Sequence, residues 1–418
     1  ATVLPGDELF KLHDTYGFPF DLTLEMAREE GLEVDEDGFR RLMKEQKDRA
    51  KADAKAKKSG HTDVSVYKAI ADKSGKSEFI GYAQQSTESK LTGIVVDGVG
   101  VASASEGEEV ELTLNRTPFY AEGGGQLADG GRITLSNGAV VEITDVQSPV
   151  PGLSVHRGRV ISGSIEVGSD ALAEIDIQRR HAISRAHTAT HMVHKAFREI
   201  LGETATQAGS ENSPGRFRFD FPATGSVPAS VLNDVEARVN TLLLDNLEVT
   251  AESMSQAKAK ELGAMALFGE KYGEVVRVVS VGDWARELCG GTHVERSGQL
   301  GVIKLLGESS IGAGVRRVEA LVGVDAYKFL AREHVLLNSL TELIKGARTE
   351  ELPDRISDLL SKMKVIEKEL ATVRSAQAFS QIDELAKSAI VVGGISFIAS
   401  VMADGVSGDD LRKIAIDL

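Results

Sequence analysis

The residue types best suited to chemistry are one cysteine and three histidines, which fall in two short stretches. Cys289 is the only cysteine in the chain, and His293 follows it by four positions. Earlier in the chain, His187 and His191 are also four positions apart. On a helix this spacing places both imidazoles on one face. One thiolate and three imidazoles match the ligand set of a tetrahedral zinc site, which would join two segments remote in sequence.

Each half of this pattern is weak evidence on its own, because paired histidines are often solvated and a lone cysteine is often an apolar core residue. The combination is more informative, since four of the nine histidines and the sole cysteine fall in or beside the two stretches. His194 shares the face of His187, but seven residues correspond to about 10.5 Å of helix rise. We therefore predict one zinc ion per chain on His187, His191, Cys289 and His293, with His194 in a supporting or structural role.

Neither a metalloprotease site nor a disulfide accounts for these residues. A zincin-type metalloprotease needs a glutamate directly after the first histidine, and Thr188 occupies that position. A disulfide needs a second cysteine. The role of the zinc stays open, because four protein ligands make a closed structural site, whereas a ligand that yields to water or substrate makes a catalytic one.

The composition sets limits on the class of protein. A chain of 418 residues predicts two or more domains, and 42% hydrophobic residues are enough for real cores. The net charge of −15 argues against broad non-specific binding of nucleic acid, so any RNA contact requires local basic patches. One cysteine, with neither a signal peptide nor a long apolar run, favours a cytoplasmic protein without a membrane span. Because the first residue is Ala1 and the last lies in an apparent helix, we interpret the sequence as a piece of a longer protein.

The period of the apolar residues changes several times, which predicts a multidomain α+β chain. Residues 1–78 have a helical pattern and end in a linker, and short alternating strands in 79–177 predict a small β-barrel. Residues 178–323 mix helices and strands and would form the zinc-containing domain. Residues 324–389 predict a helical hairpin or coiled coil, with Leu336, Leu340 and Leu343 facing an apolar stripe from Ile356 to Val373. Residues 390–418 begin a further α/β domain that is truncated.

Three polar stretches allow more than one interpretation. The run Gly123–Gly125 permits a sharp turn or close approach to a ligand, but no Gly-Lys-Ser/Thr follows it, so it is not a phosphate loop. Arg216 and Arg218 alternate with phenylalanines on a predicted strand, where a solvent-facing polar side is the simplest interpretation. The lysine-rich stretch 44–58 is a solvated helix or linker, or else a basic stretch that faces RNA.

The motifs HTATH, LCGGTH, TPFYAEGGGQLADGG, ALFGEKYG and GVRRVEA, taken together and in this order, resemble the editing region of the alanyl-tRNA synthetase family. The opening stretch FKLHDTYGFPFDLT resembles the end of that family's tRNA-recognition region. The long helices and the tail resemble the start of its C-terminal oligomerisation and tRNA-binding domain.

The resemblance implies an alanine–tRNA ligase, which attaches alanine to tRNA(Ala) with ATP. It implies that this piece carries the proofreading hydrolysis of Ser-tRNA(Ala) and Gly-tRNA(Ala), with ATP and magnesium confined to a catalytic domain that precedes residue 1. It also implies zinc on the four residues above, Gln207 in the editing pocket and Gly123, Gly124 and Gly125 near it. The implied partners are tRNA(Ala) and, through the C-terminal helices of the full-length protein, a second copy.

The editing chemistry suggests further roles for polar residues. A pocket for alanine rejects serine only weakly, about 100-fold in the analogous valine and threonine case, so a second hydrolytic site is needed. We predict that Gln207 and Thr188 pair with the serine hydroxyl. No Ser-His-Asp order is apparent, which favours water as the nucleophile. We predict that phosphates of the tRNA contact Arg216, Arg218, Arg316 and Arg317.

Three other candidates fit the same motifs. The editing domain of threonyl-tRNA synthetase and free-standing editing hydrolases share the paired HxxxH and CxxxH motifs, although GVRRVEA and the long helices favour the alanyl enzyme. A zinc-stapled tRNA-binding module without turnover is the third candidate. Incubation with Ser-tRNA(Ala) separates an enzyme from a binding module.

Overall fold

The computed structural model describes residues 3–14, 23–24, 26–27, 31–45, 64–202, 205–223, 225–265, 273–312, 314–344, 348–404 and 406–418. The chain forms two compact units, Ala1–Ala326 and Tyr327–Leu418. None of the helices in the described ranges has the length and apolarity that a bilayer crossing requires. Most of the lysine-rich stretch, most of ALFGEKYG and part of FKLHDTYGFPFDLT lie outside the described residues.

The N-terminal part of the first unit combines helices with a small strand pair. Helix α1 (Gly6–Asp14) lies between strands β1 (Val3–Leu4) and β2 (Glu33–Val34), which pair in parallel. Residues 36–45 are helical. Helix α2 (Val64–Ser74) buries Tyr67 against the outer side of the barrel described next.

A closed barrel of six strands follows, as the alternating sequence predicted. Its strands are β4 (Ser86–Val96), β7 (Glu109–Leu114), β9 (Gly131–Leu135), β10 (Val140–Val150), β11 (Leu153–Ser162) and β13 (Asp170–Ile175), which pair in the order β13-β9-β10-β11-β7-β4 and close between β4 and β13. Side chains alternate between the interior of the barrel and its surface. In β13, for example, Ala171, Ala173 and Ile175 are buried and the residues between them are exposed. The remaining short strands are β3 (Glu78–Phe79), β5 (Val99–Val101), β6 (Ser103–Ser105), β8 (Arg116–Thr117) and β12 (Ser164–Glu166).

The rest of the first unit is a helix-and-sheet domain. Helix α3 (Ile177–Leu201) starts directly after the barrel, where the side chain of Asp176 caps it by accepting from the Arg179 N–H. An antiparallel sheet of β14 (Gly209–Ser213), β15 (Arg216–Pro222), β20 (Val315–Val322) and β19 (Ile303–Gly312) packs against α3 and α4 (Ala229–Leu244). A second sheet contains β16 (Val249–Ser255), β17 (Val275–Val281) and β18 (Ala285–Leu288), with the short helix α5 (Gln256–Glu261) beside it.

The second unit is mainly helical. Helix α6 (Val324–Leu343) leads into it, and α7 (Leu352–Phe379), α8 (Ile382–Lys387), the antiparallel pair β21 (Ile390–Val392) and β22 (Ile395–Phe397), and α9 (Gly408–Asp417) follow. Both predicted long helices form, but Leu336, Leu340 and Leu343 are 42–78% exposed, and the stripe from Ile356 to Val373 is exposed as well. The hairpin itself stays a prediction.

Candidate metal centre

Helix α3 carries the first two predicted ligands. His187 and His191 lie one turn apart on its buried face, with ring centroids 5.1 Å apart and ring planes inclined by only 18°. Cys289 and His293 lie on the loop after β18. The pairing of β18 with β17 places this loop beside the buried face of α3. A side chain at Gly291 would not fit, because its Cβ would lie 2.1 Å from Cε1 of His187. Gly291 therefore allows the loop to approach the helix closely.

The four predicted ligands converge on one point. The Sγ atom of Cys289 lies 3.4 Å from Nε2 of His187 and 3.3 Å from Nε2 of His293, and all four ligand atoms lie within 4.8 Å of one another. Zinc with bonds of about 2.0–2.3 Å in a tetrahedron holds its ligand atoms about 3.3–3.6 Å apart. The two sulfur–nitrogen distances agree with that geometry.

The outer ring nitrogens of the three histidines are already hydrogen-bonded, which orients the inner ones. The Nδ1 atoms face Gln126 Oε1 at 2.8 Å for His187, a carboxylate oxygen of Glu287 for His191, and Thr188 Oγ1 at 3.1 Å for His293. In the described part of the chain, Nε2 of His191 is buried without a hydrogen-bond partner. Buried nitrogens are rarely left unpaired, and metal-bound histidines typically have such outer partners. The residues present therefore fit a metal ion.

Glu287 connects this cluster to His194. Its second carboxylate oxygen lies 2.8 Å from Nδ1 of His194, so the one carboxylate serves two histidines of α3. His194 is not part of the four-ligand cluster, in agreement with the supporting role predicted from its spacing. Sequence reasoning missed Glu287, although it lies only two residues before Cys289 in the same motif.

The surroundings of Cys289 and His293 favour the protonation states in which these side chains can bind a metal. Burial alone would raise the pKa of the Cys289 thiol, but the neighbouring imidazoles, led by His187 and His293, lower it well below its ordinary value. Burial lowers the pKa of His293 to about 3. Burial opposes the charge on Glu287, yet His191 and His194 lower its pKa to about 2. A thiolate and a neutral imidazole are the forms that bind a metal.

His191 differs from His293, because its partner is an anion. Burial lowers the pKa of His191, but Glu287 outweighs burial and raises it to about 10. A cation at the cluster therefore competes with a proton for Nε2 of His191, while Glu287 keeps the other nitrogen occupied. Metal affinity should accordingly weaken as the pH falls.

Gln126, at the end of the glycine-rich run, is a site residue that sequence reasoning missed. It is fully buried, and besides contacting His187 its side chain accepts from the Thr292 N–H at 2.8 Å and donates to the Thr292 hydroxyl at 2.9 Å. Gly124 and Gly125 have φ of +57° and +79°, and a Cβ on Gly125 would lie 2.4 Å from Ser210 Oγ. The glycines thus shape a turn that delivers Gln126, and the polar residue directly after them was the available signal.

The other predicted pocket residues lie around this cluster. Thr188 is fully buried and accepts from the Val294 N–H at 3.2 Å in addition to contacting His293. Gln207 donates to Ser210 Oγ at 3.0 Å, and Ser210 packs against Gly125. The structure thus brings Thr188 against a ligand and places Gln207 beside the glycine-rich turn, while their catalytic roles stay predictions.

An open cavity of about 790 Å³ adjoins the cluster. His293 and Thr292 form part of its wall, and Tyr82, Arg277 and Arg185 form another part. A ligand in this space can therefore reach a histidine of the cluster from solvent. The volume lies in the range of small-molecule sites.

The four arginines predicted to contact RNA all have carboxylate partners. The pairs are Arg216 with Glu319 at 2.8 Å, Arg218 with Glu211 at 3.1 Å, Arg316 with Glu308 at 2.5 Å, and Arg317 with Asp220 at 2.6 Å. Each partner offsets the positive charge that a phosphate would meet. RNA binding by these arginines stays a prediction, and their pairing weighs against it.

Comparisons with known families indicate the class of protein. Residues 1–179 match the family described as tRNA synthetases class II (A), and residues 276–319 match the threonyl and alanyl tRNA synthetase second additional domain. The second match contains Cys289, His293 and Glu287. Residues 1–179 therefore resemble class II aminoacyl-tRNA synthetases, and the second matched stretch contains two of the four cluster residues.

Individual relatives with high similarity to the chain are alanine–tRNA ligases. The chain is 63% identical to the alanine–tRNA ligase of Nocardioides sp. over 99% of this chain and 46% of that protein. It is 57% and 58% identical to those of Streptomyces avermitilis and Acidothermus cellulolyticus, over 100% of this chain and 47% of each. The chain thus spans about half the length of these alanine–tRNA ligases, and the resemblance predicted from its motifs is confirmed.

Proposed function

We propose that these residues carry out the proofreading reaction of an alanine–tRNA ligase, the hydrolysis of Ser-tRNA(Ala) and Gly-tRNA(Ala). The observation that supports this function best is the Cys-His₃ cluster in the wall of an open cavity of about 790 Å³. Cys289 and His293 lie in the part that matches the threonyl and alanyl second additional domain, which favours editing over another hydrolysis.

The chemistry of alanine selection supplies the reason for a second site. Serine adds one hydroxyl to alanine, and a small apolar pocket discriminates against such an addition only about 100-fold. Glycine is smaller and enters an alanine pocket freely. A hydrolytic site that accepts these two esters after transfer restores the selectivity, and the ester bond is broken by water.

Several residues of the chain would prepare this site. His187, His191, Cys289 and His293 would hold zinc, which when bound supplies a Lewis acid beside the cavity. Arg277 donates from Nη1 to the carbonyl oxygens of Cys289 and Gly291, at 2.9 and 2.8 Å, and so fixes the loop. Because the cysteine loop is fixed by Arg277 and the other ligands lie on helix α3, the cavity wall would keep one geometry during the reaction.

We assign the recognition of serine to polar groups near the cluster. Thr188 contacts His293 and would offer its hydroxyl to the serine side chain. Gln207, which contacts Ser210 beside the glycine-rich turn of Gly123–Gly125, would act as a second polar partner. An alanine methyl would leave these groups unpaired, which disfavours the correct product as a substrate. Glycine cannot use the contact, so its hydrolysis would depend on its small size.

The proposal places the piece in a larger enzyme. The whole protein would attach alanine to tRNA(Ala) with ATP and magnesium in a domain outside these residues, in the cytoplasm. Residues 1–78 would end its tRNA-recognition region, 79–177 and 178–323 would form the editing part, and 324–389 and 390–418 would begin its C-terminal domain. The exposed leucines of α6 and α7 would favour self-association there.

A deacylation assay tests the function directly. The purified chain, with zinc content measured, is incubated with Ser-, Gly- and Ala-tRNA(Ala) at low salt, and the loss of aminoacyl ester is followed. We expect faster hydrolysis of the seryl and glycyl esters than of the alanyl ester, and no activity in a His187→Ala/Cys289→Ala variant. Equal rates for Ser- and Ala-tRNA would refute the selective pocket, and binding without hydrolysis would favour a tRNA-binding module.

A further inference from the structure

A buried ion pair lies at the base of the glycine-rich loop, which we define as residues 120–129. The side chains of Arg180 and Asp129 are 6% and 0% exposed. Nε of Arg180 lies 3.0 Å from both carboxylate oxygens of Asp129, and Nη2 lies 2.5 Å from one of them. Two charges removed from water cost free energy unless their partners are well placed, so the surroundings of this pair indicate what it does.

The ion pair closes the glycine-rich loop. One carboxylate oxygen of Asp129 accepts from the Tyr120 N–H at 2.7 Å, and the Asp129 N–H donates to the Tyr120 carbonyl oxygen at 3.2 Å. Arg180 also donates to the carbonyl oxygens of Gly81 and Pro118, at 2.6 and 2.7 Å. All three nitrogens of its guanidinium are therefore engaged within the protein. This bonding suits a residue that positions its neighbours, and it leaves little capacity for a ligand.

The glycine-rich loop lies alongside helix α3 and contacts it at two heights. Arg180 and His187 are seven residues apart on α3, which corresponds to two turns and about 10.5 Å of rise on one face. On the loop, Asp129 meets Arg180, and Gln126 meets His187 at 2.8 Å. These two loop residues are three positions apart, and three residues of extended chain span about 10 Å. The spacing along the loop therefore matches the spacing along the helix.

We propose that Arg180 and Asp129 are positioning residues for the candidate metal centre, because they fix the loop where Gln126 reaches His187. Without this anchor the loop could shift along α3, and the amide of Gln126 would lose its place at Nδ1 of His187. Backbone hydrogen bonds between the loop and β14 share the task, so loss of the pair should weaken metal binding without abolishing it. The inference rests on the zinc-binding part of the proposed function and extends it to two residues that supply no ligand atom.

The test measures the zinc affinity of Asp129→Asn by competition against a chelator. The substitution keeps the size of the side chain and an acceptor for the Tyr120 N–H, but it removes the charge that holds Arg180. We expect the affinity to fall about 10-fold, at the lower end of the range for outer partners of metal-binding histidines. Arg180→Lys keeps the positive charge but not the fork geometry of the guanidinium, and it provides the same test if Asp129→Asn does not fold.

Two comparisons separate positioning from a general loss of stability. Glu111→Gln makes the same carboxylate-to-amide change in an ion pair with Arg157, 2.9 Å long, between barrel strands β7 and β11, and it should keep the wild-type zinc affinity. A double-mutant cycle with Gln126→Ala then identifies the route of the effect. If the pair acts through Gln126, adding Asp129→Asn to Gln126→Ala should change the zinc affinity less than about 2-fold.

The outcomes distinguish this role from the editing function. A further loss of about 10-fold in the double variant would overturn the role, because the pair would then act on the ligands by another route. An unchanged affinity in Asp129→Asn, or an equal loss in Glu111→Gln, would overturn it as well. The expected zinc affinities without hydrolysis of any ester would support the role and overturn only editing. A wild-type chain that binds no zinc would overturn the metal centre together with this role.

Discussion

The side-chain oxygen of Gln126 lies 2.8 Å from Nδ1 of His187, which joins the barrel to the helix that carries the metal ligands. Gln126 also holds Thr292, on the loop between Cys289 and His293. One buried amide therefore touches both halves of the cluster. The barrel consequently takes part in building the candidate metal centre, although none of the four ligands belongs to it.

Replacing Gln126 tests this link. Gln126→Ala leaves Nδ1 of His187 without its acceptor, so the ring can rotate, and removal of such a partner typically costs about 10- to 100-fold in metal affinity. We expect that loss in a competition titration against a zinc chelator. Gln207→Ala removes a glutamine that contacts Ser210 and no ligand, and it should keep the wild-type zinc affinity. Equal losses in both variants would mean that the contact of Gln126 with His187 is unimportant.

Glu287 should matter for the metal through its charge. Its pKa is lowered to about 2 by His191 and His194, so it is ionised at neutral pH. Glu287→Gln keeps the shape but removes the anion that orients His191, and zinc affinity should fall about 10- to 100-fold. The measurement is zinc content after dialysis against a chelator of graded concentration.

His194 is the control for that experiment, because it shares Glu287 but supplies no ligand atom to the cluster. His194→Ala should therefore retain zinc at the wild-type level. A loss of zinc in His194→Ala as large as that in Glu287→Gln would contradict the assigned ligand set.

The sequence predicted the parts of this site that follow from local spacing. The i, i+4 pair on α3 and the tight loop after Cys289 each have a geometry that a few residues determine. The barrel followed likewise from period-two alternation. Gln126 and Glu287 were missed because their roles depend on the tertiary approach of the glycine-rich turn and of β18 to α3, which local spacing alone does not determine.

For the arginines and the C-terminal leucines, the local sequence pattern does not determine the tertiary partners. The motif GVRRVEA does not indicate the acidic partner of Arg317. In the structure, the register of β15 with β20 places Asp220 directly opposite it. Its partner is more than ninety residues away in sequence, so local charge patterning could not reveal the pair. The leucines of α6 lie on a helix, but periodicity does not say whether a single chain can cover them.

Acid should destabilise the barrel through His156. Burial lowers the pKa of this histidine to about 4, from about 6.5 in an unfolded chain, so the folded form holds it neutral. Because the folded-state pKa is the lower one, its contribution is present above about pH 6.5 and is lost as the pH falls towards 4. The wild-type advantage in free energy of unfolding over His156→Gln should shrink by about 2–3 kcal/mol between about pH 7.5 and 4.5.

Comparison of the two proteins isolates this effect, since both contain the metal cluster and its own pH dependence cancels in the difference. Urea unfolding at a series of pH values supplies the measurement. A constant difference across the pH range would mean that the ring, which contacts Thr117 and the Leu112 carbonyl, is not held neutral by burial.

The salt dependence of deacylation should identify the arginines that meet the tRNA. Arg185 lines the cavity, and no carboxylate of the described residues lies within 4.0 Å of it, whereas Arg216 pairs with Glu319. Loss of one phosphate contact reduces the slope of log(kcat/KM) against log[salt] by about 0.7–1. We expect this reduction in Arg185→Ala and a much smaller one in Arg216→Ala, because Glu319 already offsets that charge. A larger change in Arg216→Ala would restore the sheet arginines as the RNA contacts that the sequence predicted.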